Sequence, residues 1–342
     1  MQWNIALDIG ASGVRMAIRG HGTVYRQSSA MAVYEGADQP SRVGNEAAQL
    51  IGRDGANARV GFPISQGACV DERFFRMWCQ YLLRQASLSA LAHRPRVLMA
   101  HAPGAQPGQI RQAVALLMEA GASACSVVRS DLAAALGAPV DVNAAQAMLL
   151  CQIGAGSMSV SLIAGGRVVR SKWLPWGLSE TDAAIARRLR AQRGLIIGPR
   201  TAEDIKLTLC SALKADAAPF QSVRAVNART NFPLMARIES QEAREAAEPA
   251  IEALLELIRE VIDQAGPQMA ADLVDNGVIL SGAGAQMYGL DRRIGDELGL
   301  SCHLPEDPGA CVIRGLNAML ESPEKYEDLS VAHVTLLEKK TL

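Results

Sequence analysis

The sequence predicts an α/β protein of two lobes. Three observations predict it: strand-like apolar runs alternate with helix-period segments throughout, two glycine-rich hairpins of matching layout stand in separate halves, and 342 residues exceed one core. Single cores stop growing at roughly 250–300 residues. With 49% hydrophobic and 20% charged residues the chain buries a sizeable interior.

The elements follow in order. Residues 4–18 run apolar, turn through Gly10-Ala11-Ser12-Gly13 and run apolar again, which predicts a β-hairpin. Residues 96–101 read as a strand and 109–120 as an amphipathic helix. Residues 148–163 repeat the hairpin around Gly154-Ala155-Gly156-Ser157, so a duplicated unit is expected, one copy per lobe. Helical periodicity covers residues 181–192, 201–213 and 240–265. The stretch 215–232, polar and poorly periodic with Pro219 and Pro233 near its ends, belongs to a small, variable subdomain. Residues 277–285 form a buried strand ending in a small-residue loop, and 292–298 a helix.

Charge excludes one class of partner. The 34 Lys and Arg balance 35 Asp and Glu to a net −1, so no dominant polyanion surface and no nucleic acid is expected. The basic run 187–193 is a solvated helix face. There is no membrane-spanning apolar run and no leader-like start. The seven cysteines are scattered, consistent with reduced thiols in the cytoplasm. Neither CxxC nor HxxxH spacing occurs, so no structural metal site is expected.

Small residues at a strand-to-strand turn let backbone N–H groups approach an anion closely. The two hairpin turns and Gly282-Ala283-Gly284 could therefore converge on a phosphate chain, with Asp8 placed to hold a hydrated Mg²⁺. No GxxxxGK[ST] and no strand–GxGxxG–helix unit is present, which excludes a P-loop or Rossmann site.

These residues resemble the actin, DnaK-chaperone and sugar-kinase superfamily, and within it the MreB family of bacterial actin homologues. Residues 197–206, IGPRTAEDIK, are similar to the family's IGERTAEEIK, and 240–246, SQEAREA, resemble its EEVREA helix. Residues 270–284, AADLVDNGVILSGAG, look like AADIIDRGIVLTGGG. Matches run collinearly along nearly the whole chain. The resemblance implies an actin-like fold, two ribonuclease-H-like lobes around a nucleotide cleft, each with a smaller subdomain. The first lobe core takes residues 1–30, 70–142 and 316–342 with a small subdomain at 31–69. The second takes 143–182 and 250–315 with a small subdomain at 183–249.

Carried over by position, Asp8, Gly10, Ala11, Ser12 and Gly13 form the first phosphate loop and Gly154, Ala155, Gly156 and Ser157 the second. Glu203 and Lys206 flank the adenosine, or else form a surface i,i+3 ion pair. Gly282, Ala283 and Gly284 close the adenine side. The implied ligands are ATP or ADP with Mg²⁺ held through water by Asp8. The implied partner is a second copy in a cytoskeletal filament serving cell shape or intracellular organisation. Family members also lie on the inner membrane or bind membrane proteins. Here only Leu88 and Leu91 suit a weak interfacial contact, and burial against the first lobe is the favoured reading of both.

Two departures bear on catalysis. The second loop's metal-shell Asp is Gln152, and the water-polarising Glu is Ser130, with Asp131 one position along as a substitute. A helix position turns a side chain by about 100°. ATP hydrolysis is accordingly expected to be weak or absent. A non-polymerising adaptor or nucleotide sensor is the alternative, and a small-molecule kinase is disfavoured for want of a base.

Overall fold

A computed structural model describes residues 3–53, 58–69, 71–88, 94–214, 219–326 and 332–335. Apolar runs broken by tight turns pair locally. Ile5–Ile9 and Gly13–Ile18 form the first hairpin, extended outward by Gly22–Ser28, while Arg96–His101 and Ala124–Arg129 add in parallel on the other side and Ala332–Thr335 closes the edge antiparallel. The second sheet repeats this plan. Met148–Ile153 and Met158–Ala164 form its hairpin, Arg167–Leu174 extends it, and Val278–Ser281 and Cys302–His303 add in parallel. The duplicated hairpins thus belong to duplicated sheets.

Strand alternation divides the core. Ile5 and Leu7 face one way, beneath helices Glu72–Leu88 and Pro107–Glu119, while Ala6 faces the other. Likewise Leu149, Cys151 and Ile153 face the outer helices of the second lobe, whereas Met148 and Leu150 face inward. The inward faces of both sheets enclose one shared core that contains helices Ser130–Leu136 and Cys311–Glu321. Where these helices cross, both residues are glycine. A Cβ on Gly137 would overlap the Cys311 carbonyl, and a Cβ on Gly315 would overlap that of Ala133.

Helix Ser240–Asp263 covers the second sheet. It begins at a capping box in which the Glu239 N–H donates to Glu242 Oε2 at 3.0 Å, and it buries Ala243, Ala247, Ile251, Leu254, Ile258 and Val261 at three- to four-residue spacing. The expected helix over 201–213 is shorter, running Pro199–Leu209. Beyond it the Ala212 N–H donates to the Tyr288 carbonyl at 2.9 Å, so a tertiary bond replaces the last helical turn.

The stretch 215–232 holds more order than its polarity suggests. Phe220–Asn227 is a strand, paired with Pro233–Glu239 and with Leu195–Ile196; Val223 and Ala225 face inward and their neighbours face solvent. This small sheet lies within residues 183–249. A second, of Arg42–Val43, Met31–Tyr34 and Ala58–Gly61, lies within 31–69. Two of the expected limits, 249/250 and 315/316, fall inside the helices Ser240–Asp263 and Cys311–Glu321. Each helix packs on both sides of the limit it crosses.

All seven cysteines are free thiols, and no described helix is long and apolar enough to cross a membrane. The Leu88 and Leu91 side chains lie outside the described residues.

The crossing predicts a specific sensitivity. Gly315→Ala places a methyl against backbone that cannot move aside, a cost at or above the roughly 1–3 kcal/mol of an overpacked core. Urea denaturation should show a clearly lowered midpoint, and an unchanged midpoint would mean that the helices separate freely.

Candidate functional site

The two hairpin turns are built alike. The Gly10 N–H donates to the Gly13 carbonyl at 2.8 Å, and the Gly154 N–H donates to the Ser157 carbonyl at 2.9 Å. They approach each other across the gap between the lobes; a Cβ on Gly156 would stand 2.8 Å from that of Ala11. The cavity beneath is lined by Asp8, Gly10, Ala11, Ser12 and Gly13 from one lobe and by Gln152, Gly154, Ala155, Gly156 and Ser157 from the other, with Ser130, Gly282 and Ala283. Hence both turns and most of the third come together.

Three assigned residues lie elsewhere. Gly284 is buried just beyond the lining, where a Cβ would stand 2.5 Å from Ile153 Cγ2 and 2.6 Å from Leu178 Cδ1. Glu203 is exposed on helix Pro199–Leu209 and does not line the cavity. Lys206 donates to Asp182 Oδ2 at 2.8 Å and to the Leu178 carbonyl at 3.2 Å, so the i,i+3 pair is replaced by a bond to a neighbouring helix. Burial pushes the Asp182 carboxyl above its usual range, and the Lys206 charge pulls it back.

Ser130 and Gln152 line the cavity and satisfy each other: the Ser130 hydroxyl donates to Gln152 Oε1 at 3.1 Å across the lobes. Asp131, the expected substitute, does not face the cavity. Its carboxylate is fully buried away from the cavity, receiving Arg129 Nη2 at 2.6 Å, Arg129 Nε at 3.1 Å, the Ser161 hydroxyl at 2.6 Å and the Leu132 N–H at 2.8 Å. The one-residue shift turns it from the cleft into the packing between lobes.

Several lining residues escape a motif-based reading. Arg15 stands opposite Asp8 in the hairpin register and donates to it, Nη1 to Oδ2 at 3.2 Å. That pairing was readable by counting back from the turn, since opposite charges favour directly opposed strand positions. Burial raises the Asp8 carboxyl above its ordinary range, and Arg15 counters this. His101 ends a parallel strand, where open α/β sheets present their sites. Its Nδ1 lies 2.8 Å from the Ala102 carbonyl, which puts the proton on Nδ1, and Nε2 is buried with no partner. Outside the lining, Trp173 of the second lobe packs against Gly104, where a Cβ would overlap its ring, and lies 3.2 Å from a Cβ on Gly67. Its indole nitrogen is buried with no partner.

These residues fit poorly the hydrated Mg²⁺ that the resemblance implies, because the groups named for its shell are already engaged in part. Hard cations need free oxygen ligands. Asp8 is ion-paired to Arg15, and the Gln152 carbonyl accepts from Ser130. No group of three or more His, Cys, Asp or Glu among the described residues could hold a metal.

Two duplicated α/β lobes sharing a core, with matched glycine turns facing across a cleft, define an actin-like protein. The MreB/Mbl protein family model matches residues 2–328, and the chain belongs to that family. MreB of Escherichia coli (strain K12), a cell shape-determining protein, is 29% identical over 323 residues, 93% of each chain. Mbl of Bacillus subtilis (strain 168), likewise cell shape-determining, is 24% identical over 322 residues, 94% of this chain and 97% of its own. Among solved structures, MreB5 of Spiroplasma citri bound to ADP superposes with a TM-score of 0.90 at 24% identity, covering 96% of this chain and 99% of that one. The MamK double helical filament gives a TM-score of 0.78 at 16% identity, covering 93% and 99%.

The buried imidazole carries a pH signature. Burial holds His101 below its ordinary value of 6.5, with Arg129 lowering it further while the Ala102 bond and Asp131 pull upward. Below that ordinary value the unfolded chain takes up the proton and the folded chain resists it, so stability falls with falling pH. The melting temperature should drop as pH is lowered through about 6. His101→Gln should flatten that limb; an unchanged slope would assign it to other groups.

Proposed function

We propose that this MreB/Mbl family member binds adenine nucleotide in the cleft between its lobes and assembles with further copies into cytoskeletal filaments, hydrolysing ATP slowly or not at all. The observation that carries the reading is the pair of hairpin turns, each closed by the same backbone bond and facing each other across the cleft. Such turns offer N–H groups to a phosphate chain whatever the neighbouring side chains are. Support comes from similar proteins, since MreB5 of Spiroplasma citri has been solved bound to ADP and to AMPPNP. The MamK structure is that of a double helical filament. The second lobe of this chain exposes Leu207, Phe220, Phe232, Met235 and Tyr288, apolar surface that a further copy would cover.

Slow hydrolysis follows from the Ser130–Gln152 bond. It puts a hydroxyl and an amide where a water-polarising carboxylate and a metal-shell carboxylate are implied, and neither accepts a proton at neutral pH. The same loss favours a second reading, a nucleotide-sensing adaptor that does not polymerise.

Calorimetry and sedimentation decide between them. ATP and ADP should bind, Gly154→Val should abolish binding, and ATP should move the protein into the pellet as filaments visible by negative stain. Binding without pelleting supports the sensor; no binding at millimolar nucleotide removes both. General-base assistance is worth roughly 10²–10⁴-fold, so phosphate release should be slower than from intact relatives by a factor in that range. Ser130→Glu with Gln152→Asp should raise it. Rapid release that His101→Ala abolishes would instead place the base on the imidazole.

A further inference from the structure

The cleft contains a cation of its own. Arg15 lines the cavity on the first hairpin, mostly buried with a side-chain exposure of 16%, against 15% for Asp8. Its guanidinium lies between the hairpin and the turn at Gly309, where a Cβ would stand 3.3 Å from Nη2. Only Nη1 is given to Asp8, and Nε is buried with no partner. Asp307, on the same turn, is paired with Arg26 at 2.5 Å and makes no hydrogen bond to Arg15, although a Cβ on Gly309 would also stand 3.4 Å from its Oδ1. Across the cleft the facing positions are neutral: Gln152 stands opposite Ser159 in the second hairpin, at the places Asp8 and Arg15 hold in the first.

This charge pattern suits a phosphate chain and disfavours a divalent ion. The lining carries one carboxylate and one guanidinium, already paired. A divalent cation would meet a guanidinium beside the lining's one carboxylate, which is already engaged through Oδ2. An incoming diphosphate would meet unpaired N–H groups on a planar fork whose geometry matches phosphate oxygens, beside the backbone N–H groups of the turns. We propose that Arg15 serves as the built-in counter-cation of the nucleotide phosphates, so that this chain binds ADP without Mg²⁺. The proposal rests on the nucleotide-binding reading above and specifies how the site recognises the diphosphate.

Titrating ADP into the full chain, in excess EDTA and in Mg²⁺, tests it. Wild type should bind with Kd values within about threefold of each other. Losing charge-assisted hydrogen bonds should weaken the EDTA Kd of Arg15→Ala by about 10–100-fold. Mg²⁺ should then tighten binding by that variant, because Asp8 has been released. Asp8→Asn covers the case in which Arg15→Ala fails to fold: it frees the whole fork and removes a negative charge, so ADP should bind more tightly in EDTA. Wild-type binding that requires Mg²⁺, or an Asp8→Asn variant that binds more weakly, overturns the proposal while leaving the nucleotide site in place. Absence of ADP binding by wild type under both conditions overturns the nucleotide reading and the proposal together.

Discussion

Everything in this molecule hangs on two helices touching backbone to backbone. Ser130–Leu136 descends from the first sheet and Cys311–Glu321 returns from the second, and Gly137 and Gly315 let their main chains meet between the sheets. Because nothing larger fits there, the inward faces of both sheets reach the same layer of side chains. One core then serves two lobes, and Ser130 and Gln152 come within hydrogen-bonding distance across the divide. A looser crossing would separate the hairpin turns and leave two independent surfaces with no cleft.

Where Ser130 meets Gln152 the cleft is neutral, and its ion pair stands on the first hairpin. Asp131, next to Ser130 in the chain, is committed to holding strand, helix and second lobe together through Arg129 and Ser161. A buried pair of this kind is a weak source of net stability, but removing one partner is costly. The charge that remains in the cavity belongs to the first hairpin alone. Chemistry in the two halves is therefore unequal even though their backbones are duplicates.

Sequence reading went furthest where backbone pattern decides structure. The hairpins, the strand at 96–101, the long helix at 240–263 and the third glycine turn were legible because periodicity and small-residue turns are local signals. The strand Phe220–Asn227 was not, since its inward positions are as slight as Ala225. The helix after Pro199 stops early because of a bond to Tyr288, far along the chain. Position-by-position transfer names two turns that the structure brings to one cavity, and it also names Glu203 and Lys206, which stand on a helix outside that cavity's lining. Side-chain partners such as Asp182 for Lys206 depend on which helices pack, which no local pattern states. Arg15 belongs to an intermediate class, visible once strand register is counted and invisible to a motif.

Trp173 joins the lobes in a different manner. Its ring rests on Gly104 of the opposite lobe, and its indole nitrogen is shut away without an acceptor. Any outward rotation of one lobe would hand that N–H to water, offsetting part of the cost of wetting the ring face. The seam between the lobes thus carries a polar edge as well as an apolar face, both supplied by one side chain.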